Sequence, residues 1–376
     1  MNKKRFLIVG DLLSGSGLTK FIFNTFSSLN VQKIDISVVG YGNDDHEIDK
    51  KCDDLNWRLY RVPPITSKIY KHIKWWKDFF SKNTFDYIYF NYSASWNFFA
   101  LKYAKKYQRS VIITHSHNSY YSHSFRSSIL MLMLNLMNNH GKKIFYKLSD
   151  YKIATSSEAA RWMFGTEHGV KIVRNGIDVR NYKFNGYKRE QIRKKINASK
   201  NTNVIGFVGV LQNRKNPLFA LKVFEKFYLK EKNSKMVIIG QGPLRKELKD
   251  FCDNKNLTNN VIFIAHTSKV NDWYSAMDVL LFPSLYEGFG LVPLEAQVSK
   301  LDVLASDNLP DIVFATNSIT KVKDFNVKNW TKLLESKLYK DKNRNIVDSR
   351  LEKFDVDNVK NEIFAYIGIS TKYFYK

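Results

Sequence analysis

Two glutamates, Glu287 and Glu295, bracket a glycine-rich turn with seven residues between them. Gly288 and Gly290 let a ligand come close to the backbone there, because glycine carries no Cβ and tolerates positive φ. The apolar positions Leu291, Leu294 and Val298 then follow helical spacing, and Pro293 falls in the first turn, where proline is tolerated. A helix that starts at Leu291 leaves the N–H groups of Phe289, Gly290 and Leu291 without intrahelical partners, and such a terminus attracts phosphate. Carboxylates are poor partners for phosphate but good acceptors for sugar and ribose hydroxyls. The stretch therefore suits a ligand with a phosphate end and a hydroxyl-rich end, such as a nucleotide sugar. The competing explanation is two ordinary acids near a helix start, which also suit the helix macrodipole.

Elements that could position this turn are visible on either side. Met277 to Phe282 is short and apolar, as in a buried parallel strand, and Pro283 and Ser284 end it. Upstream, VIGFVGVL (204–211) reads as a strand. A basic loop with Arg214 and Lys215 and an amphipathic helix follow it. Lys235 to Ile239 is a further strand, turning at Gly240-Gln241-Gly242-Pro243, and Val261 to Ala265 is another, followed by His266. In the first half, RFLIVG (5–10) leads into a turn with Gly15 and Gly17. The strand Ser110 to Thr114 leads into His115-Ser116-His117-Asn118-Ser119. Polar groups at the carboxyl ends of parallel strands are where doubly wound sheets collect ligand contacts. The two histidines invite zinc, but neither a third ligand nor a cysteine pair accompanies them.

Taken together, SLYEGFGLVPLEAQ, HSHNS (115–119), SSEAARWMFG (156–165), NGID (175–178), VGVLQNRKNP (208–217), IGQGPLRKEL (239–248) and AMDVLLFPS (276–284) resemble the retaining glycosyltransferases of family 4. The likeness is to the branch that builds bacterial capsular polysaccharide and exopolysaccharide. It implies an α/β chain of GT-B fold, two doubly wound Rossmann-like domains facing across a cleft. The domains would be 1–182, which binds acceptor, and 183–350, which binds the nucleotide sugar. A last helix in 351–376 would cross back to the first domain. It implies a hexosyl- or N-acetylhexosaminyl-transferase, metal-independent and without cofactor, whose donor is a UDP-linked sugar used as substrate. Carried over residue by residue, Glu287 orients the donor sugar and His115 reaches it from the other domain, which makes these two the catalytic candidates. Lys215, Arg214, Gly209, Gly242, Pro243, His266, Gly288, Phe289, Gly290, Leu291 and Glu295 fall on donor-binding positions, with Glu295 on the ribose. Gly15, Gly17, His117 and Asn118 fall on the acceptor side of the cleft. One departure stands out. The family's pattern has an arginine directly after Gly209, and here that residue is Val210.

Composition bounds the rest. The chain has 376 residues and a net charge of +25. It is long enough for two cores. Cys52 and Cys252 lie far apart, which suggests no disulfide framework and a reducing compartment. The apolar run after MNKKR is too short for a secretory leader, and no stretch is long enough to span a bilayer. Residues 55–147 hold fifteen Lys or Arg against Asp78 and Asp86, a surplus that calls for an anionic partner. The segment 67–82 carries Ile69, Ile73, Trp76 and Phe80 at helical spacing among lysines, which fits either a helix in a membrane interface or a core-facing surface helix with a basic outer side. The apolar SILMLMLNLM (128–137) reads as a helix that is buried or that faces a greasy acceptor, with burial favoured. GNDDHEIDKKCDD reads as a charged, solvated loop. The expected setting is the cytoplasm, peripheral on the inner face of the membrane. The expected acceptor is a saccharide or polyprenyl diphosphate-linked glycan, with no nucleic acid among the partners. A non-catalytic sugar- or partner-binding protein and a nucleotide-sugar epimerase or phosphorylase remain as alternatives.

Overall fold

The computed structural model describes residues 3–14, 16–30, 32–41, 45–65, 67–121, 128–287, 289–338 and 344–369. Gly15 and Gly288 lie outside them. The chain forms two compact units, Met1–Gly176 with Val356–Lys376, and Ile177–Asp355.

In the first unit strands and helices alternate: β1 (Lys4–Asp11), α1 (Gly17–Phe26), β2 (Ile34–Tyr41), α2 (His46–Asp54), β3 (Arg58–Val62), α3 (Ile69–Lys82), β4 (Tyr87–Tyr92), α4 (Phe99–Tyr107), β5 (Val111–Ser116), α5 (Ser128–Leu148), β6 (Tyr151–Ala154), α6 (Ser157–Phe164) and β7 (Lys171–Ile172). All strand pairs are parallel, in the order β3-β2-β1-β4-β5-β6-β7. Both sheet faces are covered, so alternate residues of one strand feed two cores. Phe6 and Ile8 face one core with α1, while Leu7 and Val9 face another with Trp76 and Phe80 of α3.

The second unit runs α7 (Gly186–Lys195), β8 (Asn203–Val208), α8 (Pro217–Tyr228), β9 (Ser234–Ile239), α9 (Arg245–Asn254), β10 (Val261–Ile264), α10 (Val270–Ala276), β11 (Val279–Phe282), α11 (Leu291–Val298), β12 (Asp302–Ser306), β13 (Ile319–Val322) and α12 (Val327–Leu338). Its sheet is also parallel, in the order β10-β9-β8-β11-β12-β13. The last helix, α13 (Val356–Tyr366), belongs to the first unit, where Phe364 meets Phe26 of α1 with ring centroids 5.8 Å apart. The units divide after Gly176 rather than after residue 182, because Ile177, Val179 and Tyr182 are buried in a core of the second unit.

Two segments differ from their sequence reading, and a third takes one of its two alternatives. The charged stretch after β2 contains helix α2, capped by Asp45, whose side chain accepts from the N–H groups of Glu47 and Ile48. That stabilises the first turn in the usual way of an acidic N-cap. In α3 the inward face is His72, Trp76, Phe79 and Phe80, all buried. His72 is bonded on both sides, Nδ1 to the Pro63 carbonyl at 2.7 Å and Nε2 accepting from Trp76 Nε1 at 3.1 Å. Of the two readings of this segment the structure takes the core-facing one, with Trp76, Phe79 and Phe80 filling the unit's own core. In α5 the difference is opposite: Ile129, Leu132, Met133 and Leu136, expected inside, are exposed. Among the described residues no helix is long and apolar enough to cross a membrane.

Candidate active site

Strand order builds the site in the second unit. β8 and β11 are neighbours although three strands apart in sequence, so the chain leaves the sheet in opposite directions on either side of them. A crevice opens at such a switch point, beyond the carboxyl ends of the strands. The loop after β8 carries Gly209, Arg214 and Lys215, and the loop after β11 carries Glu287 and Gly290. The Leu285 N–H donates to the Arg214 carbonyl at 2.8 Å and ties the two loops together. The loop after β9 joins them: the Leu211 N–H donates to the Gln241 carbonyl at 2.8 Å, and the Leu244 N–H to the Leu211 carbonyl at 3.0 Å. Gly240 permits this approach, since a Cβ there would lie 1.9 Å from the Gly209 carbonyl oxygen. Gly242 belongs to the same loop, and Pro243 after it is exposed. His266 is exposed in the loop after β10, the strand beside β9.

At the centre Glu287 faces two cations. Lys215 Nζ pairs with its Oε1, and Arg214 Nη1 lies 3.1 Å from its Oε2. Arg214 also donates to the Tyr286 carbonyl and lies over the Tyr286 ring, while Lys215 lies over the Phe282 ring. The side chains are 7% (Glu287), 13% (Lys215) and 23% (Arg214) exposed. Burial alone would raise the Glu287 carboxyl. The charges of Lys215 and Arg214, with the hydrogen bond from Lys215, outweigh it and hold the group below its ordinary value. Burial and the neighbouring Arg214 charge lower the Lys215 ammonium despite its contact with Glu287. One carboxylate between two cations leaves the cluster at net +1. Beside it, α11 starts at Leu291 after Gly290, whose φ of 97° puts the N-cap in the left-handed region, and no side chain caps it. A surplus cation and an uncapped helix start at one switch point suit an anion. The Phe289 side chain points into the core, against Phe354.

Glu295, expected on the ribose, lies on α11. It is 2% exposed, and its two oxygens accept from Tyr182 Oη at 2.9 Å and Tyr274 Oη at 2.8 Å. Burial, then the Glu295 charge, push both phenols well above their ordinary value. Neither tyrosine was visible as a partner in the sequence, since Tyr182 lies 113 residues away from the acid.

In the first unit His115 and His117 come together at the carboxyl end of β5, with ring centroids 4.1 Å apart. His115 Nδ1 meets Tyr89 Oη at 3.0 Å, His117 Nε2 meets Asn91 Oδ1 at 3.0 Å, and Phe21 packs against both rings. His115 is fully buried. Burial lowers it well below the ordinary value, with His117 adding to the effect, and burial takes His117 down to about 3. Both rings are neutral at pH 7. Gly17 opens α1, and Asn118 follows the pair with its carbonyl accepting from Ser116 Oγ.

Residues 188–350 match the family model for group 1 glycosyl transferases. The matched segment is nearly the whole second unit. Its relatives are glycosyltransferases. EpsF of Bacillus subtilis (strain 168), named as a glycosyltransferase, is 26% identical over 84% of this chain and 82% of its own length. An Escherichia coli enzyme named UDP-Gal:alpha-D-GlcNAc-diphosphoundecaprenol alpha-1,3-galactosyltransferase is 29% identical over 37% of each chain. Anabaena Alr3699/HepE, solved in complex with UDP and glucose, superposes with a TM-score of 0.78 over 96% of this chain and 99% of its own, at 14% identity. The fold, two Rossmann-like units with parallel sheets, is that of GT-B glycosyltransferases, and the similarities support a glycosyltransferase.

Proposed function

We propose that this chain transfers a sugar from a nucleotide-diphosphate donor, UDP-linked, to a saccharide or polyprenyl diphosphate-linked acceptor in the assembly of a bacterial surface polysaccharide. The observation that carries the proposal is the net +1 cluster of Arg214, Lys215 and Glu287 beside the uncapped start of α11. The donor's diphosphate rests there, with Gly209, Gly242, Pro243 and the backbone of Phe289, Gly290 and Leu291 around it, and Gly288, outside the described residues, counts among the donor-binding positions. His266, at the end of β10, lies toward the base. As the bond to the sugar breaks, negative charge grows on the leaving phosphate. Fixed cations and backbone dipoles stabilise it with little reorganisation. Glu287 accepts hydroxyls of the sugar and so fixes its orientation. Glu295 acts at one remove, holding Tyr182 and Tyr274 behind the helix.

Configuration is retained, by a front-face displacement in which the donor phosphate takes the acceptor's proton. Trapping a glycosyl adduct on Glu287 would overturn that step. His115 and His117 serve as neutral hydrogen-bonding groups on the acceptor side together with Gly15, Gly17 and Asn118, and neither acts as a general acid. The acceptor is met at an anionic membrane surface, and the protein works peripherally on the cytoplasmic face.

A panel of nucleotide sugars tests the donor reading by thermal melting shift and by release of free nucleotide in the presence of acceptor lipid extract. One donor family should raise the melting temperature, and Lys215→Met should abolish the rise. If no nucleotide or nucleotide sugar shifts the melt, the proposal fails. A second reading, a binding protein without turnover, is favoured by Val210, which stands 47% exposed where the family's pattern has an arginine. It predicts a melting shift without nucleotide release.

A further inference from the structure

The exposed ridge of α5 is built like a membrane contact, and nothing in the donor chemistry uses it. The helix is fixed in rotation from within. Its inward stripe is Leu134, Asn138, Gly141 and Phe145, all buried. Asn138 Oδ1 accepts from the Ser95 N–H at 2.8 Å, and Ser95 Oγ donates to the Asn138 carbonyl at 2.9 Å. Turning the helix to hide its other side would expose Phe145 and unpair Asn138. The outward stripe is therefore obligatory. Its first turns hold Ile129, Leu132, Met133 and Leu136, which are 75%, 61%, 57% and 62% exposed. Isolated exposed apolar residues are ordinary, but four on one ridge form a patch of the kind that marks an interaction surface.

The same ridge changes character along its length. Asn139, His140, Lys143 and Lys147 continue it, all exposed. His140 packs on the Phe98 ring, and Lys102 of α4 lies over that ring, which brings another cation to the basic end. Residues 87–149 contain eight Lys or Arg and no Asp or Glu. A second copy docked through this helix would bring two helices without acids against each other, in a chain of net charge +25. An anionic lipid surface satisfies both halves: acyl chains take the apolar turns, and headgroups take the lysines.

We infer that α5 is the membrane-docking element of this protein, with Ile129, Leu132, Met133 and Leu136 inserted and Lys143 and Lys147 on anionic headgroups. The inference rests on the proposed lipid-linked acceptor only for the use made of docking. The lipid contact itself is measured without any sugar. The test is flotation of the full chain with vesicles of phosphatidylglycerol and phosphatidylcholine, compared with phosphatidylcholine alone. The wild type should float with the anionic vesicles and lose binding at high salt. Replacing Ile129, Leu132, Met133 and Leu136 by serine should weaken the partition roughly tenfold or more, by the apolar area withdrawn. Lys143→Glu with Lys147→Glu should abolish the preference for anionic lipid. All these positions are exposed, so the melting temperature and its shift with UDP should stay at wild-type values. Wild type that stays with the pellet, a serine variant that floats as well as wild type, or a serine variant that instead turns a dimer into a monomer, would each overturn the inference. A kept UDP shift in those cases leaves the donor reading standing, and vesicle binding without any UDP shift does the reverse.

Discussion

Glu287→Gln is the sharpest perturbation, because it should move stability and ligand binding in opposite directions. In the free protein the Glu287 carboxylate is the counter-ion of Lys215 and Arg214. Neutralising one member of a buried ionic cluster costs about 3–5 kcal/mol when the remaining charge is sealed from water. Here the two cations are 13% and 23% exposed, so water reaches them in part and about 2–3 kcal/mol is the better expectation. For a unit of this size that lowers the melting temperature by roughly 5–10 °C. The same change takes the cluster from net +1 to net +2. One unit of charge acting on a phosphate about 6 Å away, at an effective dielectric constant near 20, is worth up to about 3 kcal/mol. UDP should therefore raise the melting temperature of Glu287→Gln more than that of wild type, and the gain should shrink in salt. Sugar transfer should fall, because the donor sugar loses the acceptor that orients it. Lys215→Met has the opposite sign for UDP: Glu287 and Arg214 then cancel, and the shift should vanish. An unchanged melting temperature in Glu287→Gln without ligand, or a smaller UDP shift than wild type, would refute the charge balance assigned to this site.

Three other outcomes follow from the structure. His115 and His117 are buried as neutral rings with values below the unfolded one of about 6.5, so their contribution is complete above that pH and is lost as the pH falls toward their folded values. Between pH 6.5 and pH 5 each should cost roughly 2 kcal/mol of unfolding free energy. Urea titrations should show that slope reduced in His117→Gln, and equal slopes would contradict it. Gly240→Ala would drive a Cβ to 1.9 Å from the Gly209 carbonyl oxygen, so it should destabilise the second unit by about 3 kcal/mol or more and abolish the UDP shift. Asp45 accepts from Glu47 and Ile48 at the start of α2 and from both the N–H and the hydroxyl of Ser14. Asp45→Ala should cost about 1–2 kcal/mol, read by thermal melting.

What could be read directly from the chain was local. The strand Val279–Phe282, the αL glycine at 290 and the helix from Leu291 are written in neighbouring residues, because turn chemistry and a period of 3.6 act over a few positions. α2 escaped because its only buried positions are Ile48 and Cys52, one turn apart among charges, and two residues do not make a periodic face. In α3 the apolar and aromatic residues cover more than half the circumference, so period alone could not say which side faces in. His72 decided it by bridging the Pro63 carbonyl and Trp76, a pairing no pattern announces. α5 was misjudged because apolarity was equated with burial. The residues that dock it are Asn138 and Gly141, which hydropathy does not count as core.

The site's own wiring was hidden for a different reason. Glu287 meets Lys215 across 72 residues, and Glu295 meets Tyr182 across 113. The first of those contacts closes because β11 takes its place beside β8 instead of beside β10, and strand order is a property of the whole sheet. Once that order is known, the chemistry is constrained. The loops after β8 and β11 must share one crevice, and the surplus charge of Arg214 and Lys215 over Glu287 must lie at the start of α11. Arg214 then supplies from the far side of its loop the second cation that Val210 cannot. The departure at Val210 therefore changes where the charge is anchored without changing its sign, and in the proposed donor site it is the sign that would select a diphosphate over a neutral sugar.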